Sequence, residues 1–195
     1  MSIIETSFKK YQTEVYPQKK ELMEGLKGGQ SPHTLLLTCS DSRISVTDLC
    51  QAEPGDVFVI RNAGNVIEEY NSKNPSNEAL TLEYGVSALG VKEVIVCGHS
   101  SCGAMGGVKD LSALDALPLV KLGLTRVSRQ FTPDEITNLE VADLIKLNVR
   151  KQLMNLYSFP FVKEKLASGE LEVYGYVYDF GNGELTEKIS LREMV

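Results

Sequence analysis

The chain has 195 residues, of which 43% are hydrophobic and 24% charged, and its formal net charge is −6. These values fit one globular domain with a sizeable core and exclude a disordered, fibrous or membrane-spanning chain. With no basic face, nucleic acid and anionic membranes are excluded as partners, so a small neutral or anionic substrate would need local positive charge from a metal or a placed arginine. The N-terminal stretch MSIIETSFKKYQTEVYPQKKE has no uninterrupted apolar run of the kind a signal peptide or spanning helix requires, which implies a cytoplasmic protein. Four cysteines in that setting imply reduced thiols held by metal binding or burial.

No repeat or linker divides the chain, which reads as a single domain over 1–195, with 1–29 as an N-terminal helical arm. Helix formers with apolar positions at Phe8, Tyr11, Val15 and Tyr16 define that arm, and Gly25, Gly28 and Gly29 end it. The apolar runs 34–38 and 57–60 predict strands buried on both faces. Between Pro75 and Gly90, the spacing of Ala79, Leu82, Val86 and Leu89 predicts a helix, with Asn74 as its start signal. Residues 93–97 repeat the buried-strand pattern. Strand, helix, strand in this order predicts an α/β fold: a mainly parallel central sheet with both faces covered by helices. Residues 111–166 read as mostly helical, with a start at Thr132-Pro133-Asp134-Glu135. The alternation over 171–180 and the turn Gly181-Asn182-Gly183 predict a C-terminal hairpin at a sheet edge.

Reactive side chains cluster at the C-terminal ends of two predicted central strands, where open α/β sheets place their ligand sites. They are Cys39-Ser40-Asp41-Ser42-Arg43 and Gly98-His99-Ser100-Ser101-Cys102-Gly103. Thiolate sulfur and imidazole nitrogen suit tetrahedral zinc, and three ligands from Cys39, His99 and Cys102 would leave one position open, as in catalytic sites. The alternative is that these residues only fill core or loop space, the reading given to Cys50 and Cys97 as small buried apolar side chains. Ser42 and Ser100 beside His99 lack the Gly-x-Ser-x-Gly elbow of a hydrolase, and Gly98 to Gly103 lacks the lysine of a phosphate loop.

Cys-x-Asp-x-Arg followed sixty residues later by His-x-x-Cys resembles the β-class carbonic anhydrases. Gln30-Ser31-Pro32, Pro54-Gly55-Asp56, Phe58, Arg61-Asn62, Glu83-Tyr84 and Cys97-Gly98 follow the family's order, so the resemblance covers about 28–108, and 174–179 is similar to the family's last strand. It implies one zinc ion per subunit on Cys39, His99 and Cys102 with water or hydroxide as fourth ligand. Asp41 and Arg43 become the catalytic dyad of reversible hydration of carbon dioxide to bicarbonate and a proton. Asp41 would accept a hydrogen bond from the nucleophile while Arg43 holds the carboxylate ionised. Gln30, Phe58 and Tyr84 match the substrate pocket of the plant-like subgroup, and the Gly103 N–H would help stabilise developing charge. The other subgroup carries tryptophan three residues before the first cysteine, where this chain has Leu36, so the resemblance implies an open site with Asp41 off the metal. It also implies a homodimer or higher even-numbered homo-oligomer, formed through the arm and a sheet edge, with the pocket shared between subunits. Hydrolysis of CS2 or COS on the same scaffold, and a non-catalytic zinc module with a fourth protein ligand, are the competing readings. His33 is either a proton shuttle or an idle loop histidine.

Overall fold

The computed structural model describes residues 2–195. Five strands form one sheet in the order β2-β1-β3-β4-β5: β1 is Thr34–Cys39, β2 Val57–Asn62, β3 Glu93–His99, β4 Glu172–Asp179 and β5 Glu184–Ser190. The first four run parallel, and β5 returns antiparallel to β4 across a tight turn, which makes it the predicted edge hairpin. The leucines of β1 explain its central place, since Leu35, Leu36 and Leu37 are all buried and point alternately to the two faces.

Helix α1 (Ile3–Lys10), α2 (Tyr16–Gly25) and the π-helical turn between them form the arm, and none of their residues is buried. Ser2 and Glu5 close a capping box at its start. A short α3 (Val46–Cys50) follows β1 and was not anticipated. The helix after β2 starts later than its proline suggests: α4 (Asn77–Glu83) is capped by Ser76, whose Oγ accepts from the Ala79 N–H, in place of the expected Asn74. It continues as a π-helical turn over 84–88. Helix α5 (Gly103–Lys109) leaves β3, and α6 (Pro118–Ser128), α7 (Pro133–Asn138), α8 (Val141–Tyr157) and α9 (Pro160–Ser168) fill the long helical region. Thr132 and Glu135 form the expected capping box of α7.

The faces of the sheet are not equivalent. Helix α8 lies tight on the face of Val94, Val96 and Gly98; a Cβ on Gly98 would stand 2.8 Å from Val149 Cγ2, inside normal contact distance. On the opposite face Leu36, Thr38 and Cys97 are buried but Ile95, Tyr174 and Tyr176 are only half-buried. Both faces are covered, one more thickly than the other. Among the described residues no helix is long and apolar enough to cross a membrane.

Candidate metal centre

Because β1 and β3 are adjacent and parallel, with Thr38 opposite Cys97, their last residues Cys39 and His99 emerge side by side. The chain then bends through Ser100 and Ser101, the latter in the left-handed region at φ 56°, and brings Cys102 back as the N-cap of α5. All three side chains are buried, and one donor atom from each lies within 4.8 Å of the others. His99 Nδ1 stands 2.9 Å from the Ser100 carbonyl, which can only accept, so Nδ1 carries the proton and Nε2 keeps its lone pair. That Nε2 is buried without a hydrogen-bond partner. An orphaned imidazole nitrogen beside two sulfurs is a donor set that lacks its acceptor, and its chemistry fits zinc.

The two sulfurs shift each other's protonation in opposite directions. The Cys102 thiol beside it lowers the pKa of Cys39 most, against the cost of burial, with further help from the N–H groups of Gly64 and Asp41. Cys102 is raised in turn, first by its neighbour Cys39 and then by burial. Cys97 is buried and inert, its thiol pushed up to about 12 by desolvation. Cys50, expected to be buried, is exposed on α3, which corrects that reading.

Asp41 is not part of the metal group, because Arg43 holds it. Arg43 donates from Nε to Oδ1 at 2.9 Å and from a terminal nitrogen to Oδ2 at 2.8 Å, and its backbone N–H reaches Oδ1 at 3.0 Å. This fork keeps Asp41 well below the usual carboxylate range. Two residues to which the sequence assigned no role complete the frame. Arg61 at the end of β2 donates to the carbonyls of Cys39 at 3.0 Å and Asp41 at 2.8 Å, clamping the turn that carries both. Phe180 lies with its ring 4.3 Å from the Arg43 guanidinium carbon and 5.0 Å from the His99 ring. Only the adjacent Arg61-Asn62 pair offered a sequence signal for the former; Phe180 offered none.

The remaining expected site residues divide. Gly103, the first residue of α5, adjoins Cys102. Gln30 and His33 lie before β1, at the opposite end of the sheet from the metal group; the five steps from Thr34 to Cys39 alone span about 17 Å. Phe58 is four residues before Asn62, the β2 partner of Cys39, or about 13 Å down the strand. It packs on Tyr84 with ring centroids 6.0 Å apart, and Tyr84 is exposed. Within one chain these residues do not meet the metal group.

Three buried metal donors at the C-terminal ends of parallel strands, with a carboxylate held off by an arginine, fit a mononuclear zinc enzyme of the α/β class. A family model described as carbonic anhydrase matches residues 34–185. Among curated relatives, the carbonic anhydrase of Synechococcus elongatus is 38% identical over 91% of this chain and 67% of its own length. That of Pseudomonas aeruginosa is 39% identical over 91% of this chain and 83% of its own length. Among solved structures, the β-carbonic anhydrase CcaA superposes with a TM-score of 0.83 at 36% identity, covering 95% of this chain and 89% of that one. One of two tetrameric β-carbonic anhydrases of Sordaria macrospora gives 0.72 at 30%, covering 94% and 93%. The chain belongs to the carbonic anhydrase family, in its β class. Its cofactor is zinc and its reaction is the reversible hydration of carbon dioxide.

Proposed function

We propose that Cys39, His99 and Cys102 hold the zinc and that Asp41 and Arg43 are the working dyad beside it. The observation that carries this is the bidentate Arg43–Asp41 pair next to a three-donor group with no fourth protein ligand among the described residues. Bound zinc would acidify water and so supply the nucleophile, the established chemistry of carbonic anhydrases. Asp41 accepts a hydrogen bond from the nucleophile's O–H and so turns its lone pair toward the carbon of carbon dioxide. Arg43 keeps Asp41 ionised and off the metal. Phe180 shields the arginine and the histidine from water on one side. The Gly103 N–H donates to a substrate oxygen as negative charge develops.

Gln30, Phe58 and Tyr84 complete the pocket of a partner copy. Strand β2 is an open edge of the sheet. A two-fold pairing along it runs the two β2 strands antiparallel, which sets one chain's lower end beside the other's metal group. This supports a homodimer or larger even-numbered assembly with a plant-like pocket: Gln30 donates to substrate, and Phe58 and Tyr84 form a dry wall. The chain is read as one domain over 1–195 with 1–29 as its arm. Four free thiols support a cytoplasmic, reducing location.

The test is turnover on CO2, COS and CS2 at alkaline pH, together with metal content after purification without added zinc. Carbon dioxide hydration with one zinc per chain is expected; no hydration beside fast COS or CS2 turnover would reject the substrate. Mixing inactive His99→Ala and Tyr84→Ala chains checks the shared pocket, since hybrid dimers then regain one intact site. No recovery on mixing would reject sharing.

A further inference from the structure

Helix α8 buries three uncharged polar side chains in the middle of the protein: Asn148, Gln152 and Asn155 are 1%, 0% and 8% exposed. Their four- and three-residue spacing makes one stripe, beside the apolar stripe Ile145, Val149 and Leu153. Leucine at such positions would avoid desolvating an amide, so each buried polar atom needs a partner. The partners lie in the loop that follows β2. Gln152 Oε1 accepts from the Ile67 N–H at 2.9 Å, and Asn155 donates to the Ile67 carbonyl at 2.7 Å. Asn148 Nδ2 donates to the Gly64 carbonyl at 3.0 Å, and its Oδ1 accepts from Gln152 Nε2 at 2.9 Å, which fixes the direction of the amide.

Gly64 is where this scaffold meets the metal group. Its φ is +88°, and a Cβ there would stand 3.0 Å from that of Ala104 at the start of α5. Asn65 next to it is also left-handed, at φ 49°. Glycine adopts that region readily, whereas a non-glycine such as Asn65 holds it at a cost that its surroundings must offset. In this conformation the Gly64 N–H reaches Cys39 Sγ at 3.4 Å.

We propose that Asn148 is a positioning residue of the metal centre. By gripping the Gly64 carbonyl it keeps the N–H of the same glycine on the Cys39 sulfur, and so sets how firmly and with what electron density that sulfur holds zinc. The inference rests on Cys39 being a zinc ligand. A hydrogen bond to a ligating sulfur orients it and withdraws charge from it, and such outer partners typically contribute 10- to 100-fold in affinity.

The experiment compares the full-length parent with Asn148→Leu and, as a control, Asn155→Leu, which opens the same network without touching Gly64. Zinc affinity is measured by chelator competition, and the thiolate-to-cobalt charge-transfer band is recorded on cobalt-substituted protein. N148L is expected to bind zinc about tenfold more weakly and to move the band to longer wavelength, because the sulfur loses its N–H. N155L is expected to keep both near parental values while melting at a lower temperature. A folded N148L with the parent's affinity and band overturns the proposal, and so does N155L changing both as much as N148L does. Should N148L fail to fold, Asn148→Ser, which also removes the amide, is read in the same way. A parent chain that takes up no zinc overturns the assignment of Cys39 itself; a zinc-binding parent with an unaffected N148L overturns only the role of Asn148.

Discussion

Stripping the metal tests the centre most directly, and the geometry sets the size of the effect. Without zinc, His99 Nε2 is a buried acceptor with no partner, a state that costs about 1–3 kcal/mol. Cys39 and Cys102 also stand together in a desolvated site. Zinc relieves both at once, and free zinc at about a thousand times its Kd stabilises the native state by roughly 4 kcal/mol. For a chain of this size each kcal/mol moves Tm by about 2–4 °C, so loading is expected to raise Tm by roughly 8–16 °C. Scanning calorimetry of chelated and zinc-loaded parent, His99→Ala and Cys102→Ser proteins measures it. The two variants, each lacking one donor, should retain less than half of the parent's rise. A parent whose melting is indifferent to saturating zinc, or an H99A protein with the full rise, would refute the three-donor reading.

Two further outcomes concern the dyad and its support. The Asp41 pKa is depressed by Arg43, so the stability it contributes is present above its ordinary pKa of about 3.9 and is lost as pH falls through its lower folded value. Asp41 is therefore ionised wherever the enzyme works, and Asp41→Asn should lower kcat/KM by about a hundredfold, evenly between about pH 6 and 9, as a positioning loss does. A pH profile that changes shape in D41N would instead make Asp41 the titrating group. Phe180→Ala removes the ring stacked on Arg43 and should cost about two- to fivefold in kcat/KM, with Phe180→Tyr near the parent. Equal loss in both variants would show that the ring is not what matters.

The sequence carried the sheet because its central strands are apolar in continuous runs, Leu35 to Leu37 and Val94 to Val96, although Ile95 is only half-buried where the helices leave that face thinner. It also brought Cys39, His99 and Cys102 together, since reactive side chains at the ends of neighbouring parallel strands have to converge. Local signals did less well where they competed. Pro75 drew the start of α4 to Asn74, yet Ser76 wins the cap because its hydroxyl meets the Ala79 N–H. The five-residue α3 is too short for any periodicity to reveal, and so Cys50 was assigned to the core. Phe58 stands near the start of its strand while Cys39 closes its own, so position along the strand already separates Phe58 and Tyr84 from the metal group of the same chain. The polar stripe Asn148, Gln152 and Asn155 was visible as residues on a helix, but nothing in one dimension tells a solvated stripe from one buried against a loop.

The placement of Cys39 and His99 on paired central strands also bears on how the protein comes into being. Their register closes a loop of some sixty residues, and Cys102 joins only after the bend through Ser101 has formed. Parallel pairing of such distant segments is a slow, non-local step, because the closure entropy is lost before any contact rewards it. On the proposed ligands, an unfolded chain therefore offers zinc isolated cysteines and histidine, and the complete three-donor site forms only once the sheet has zipped and the β2–α4 loop has docked on α8. On that reading metal uptake would report the completion of folding, with the ion binding a topology it did not template.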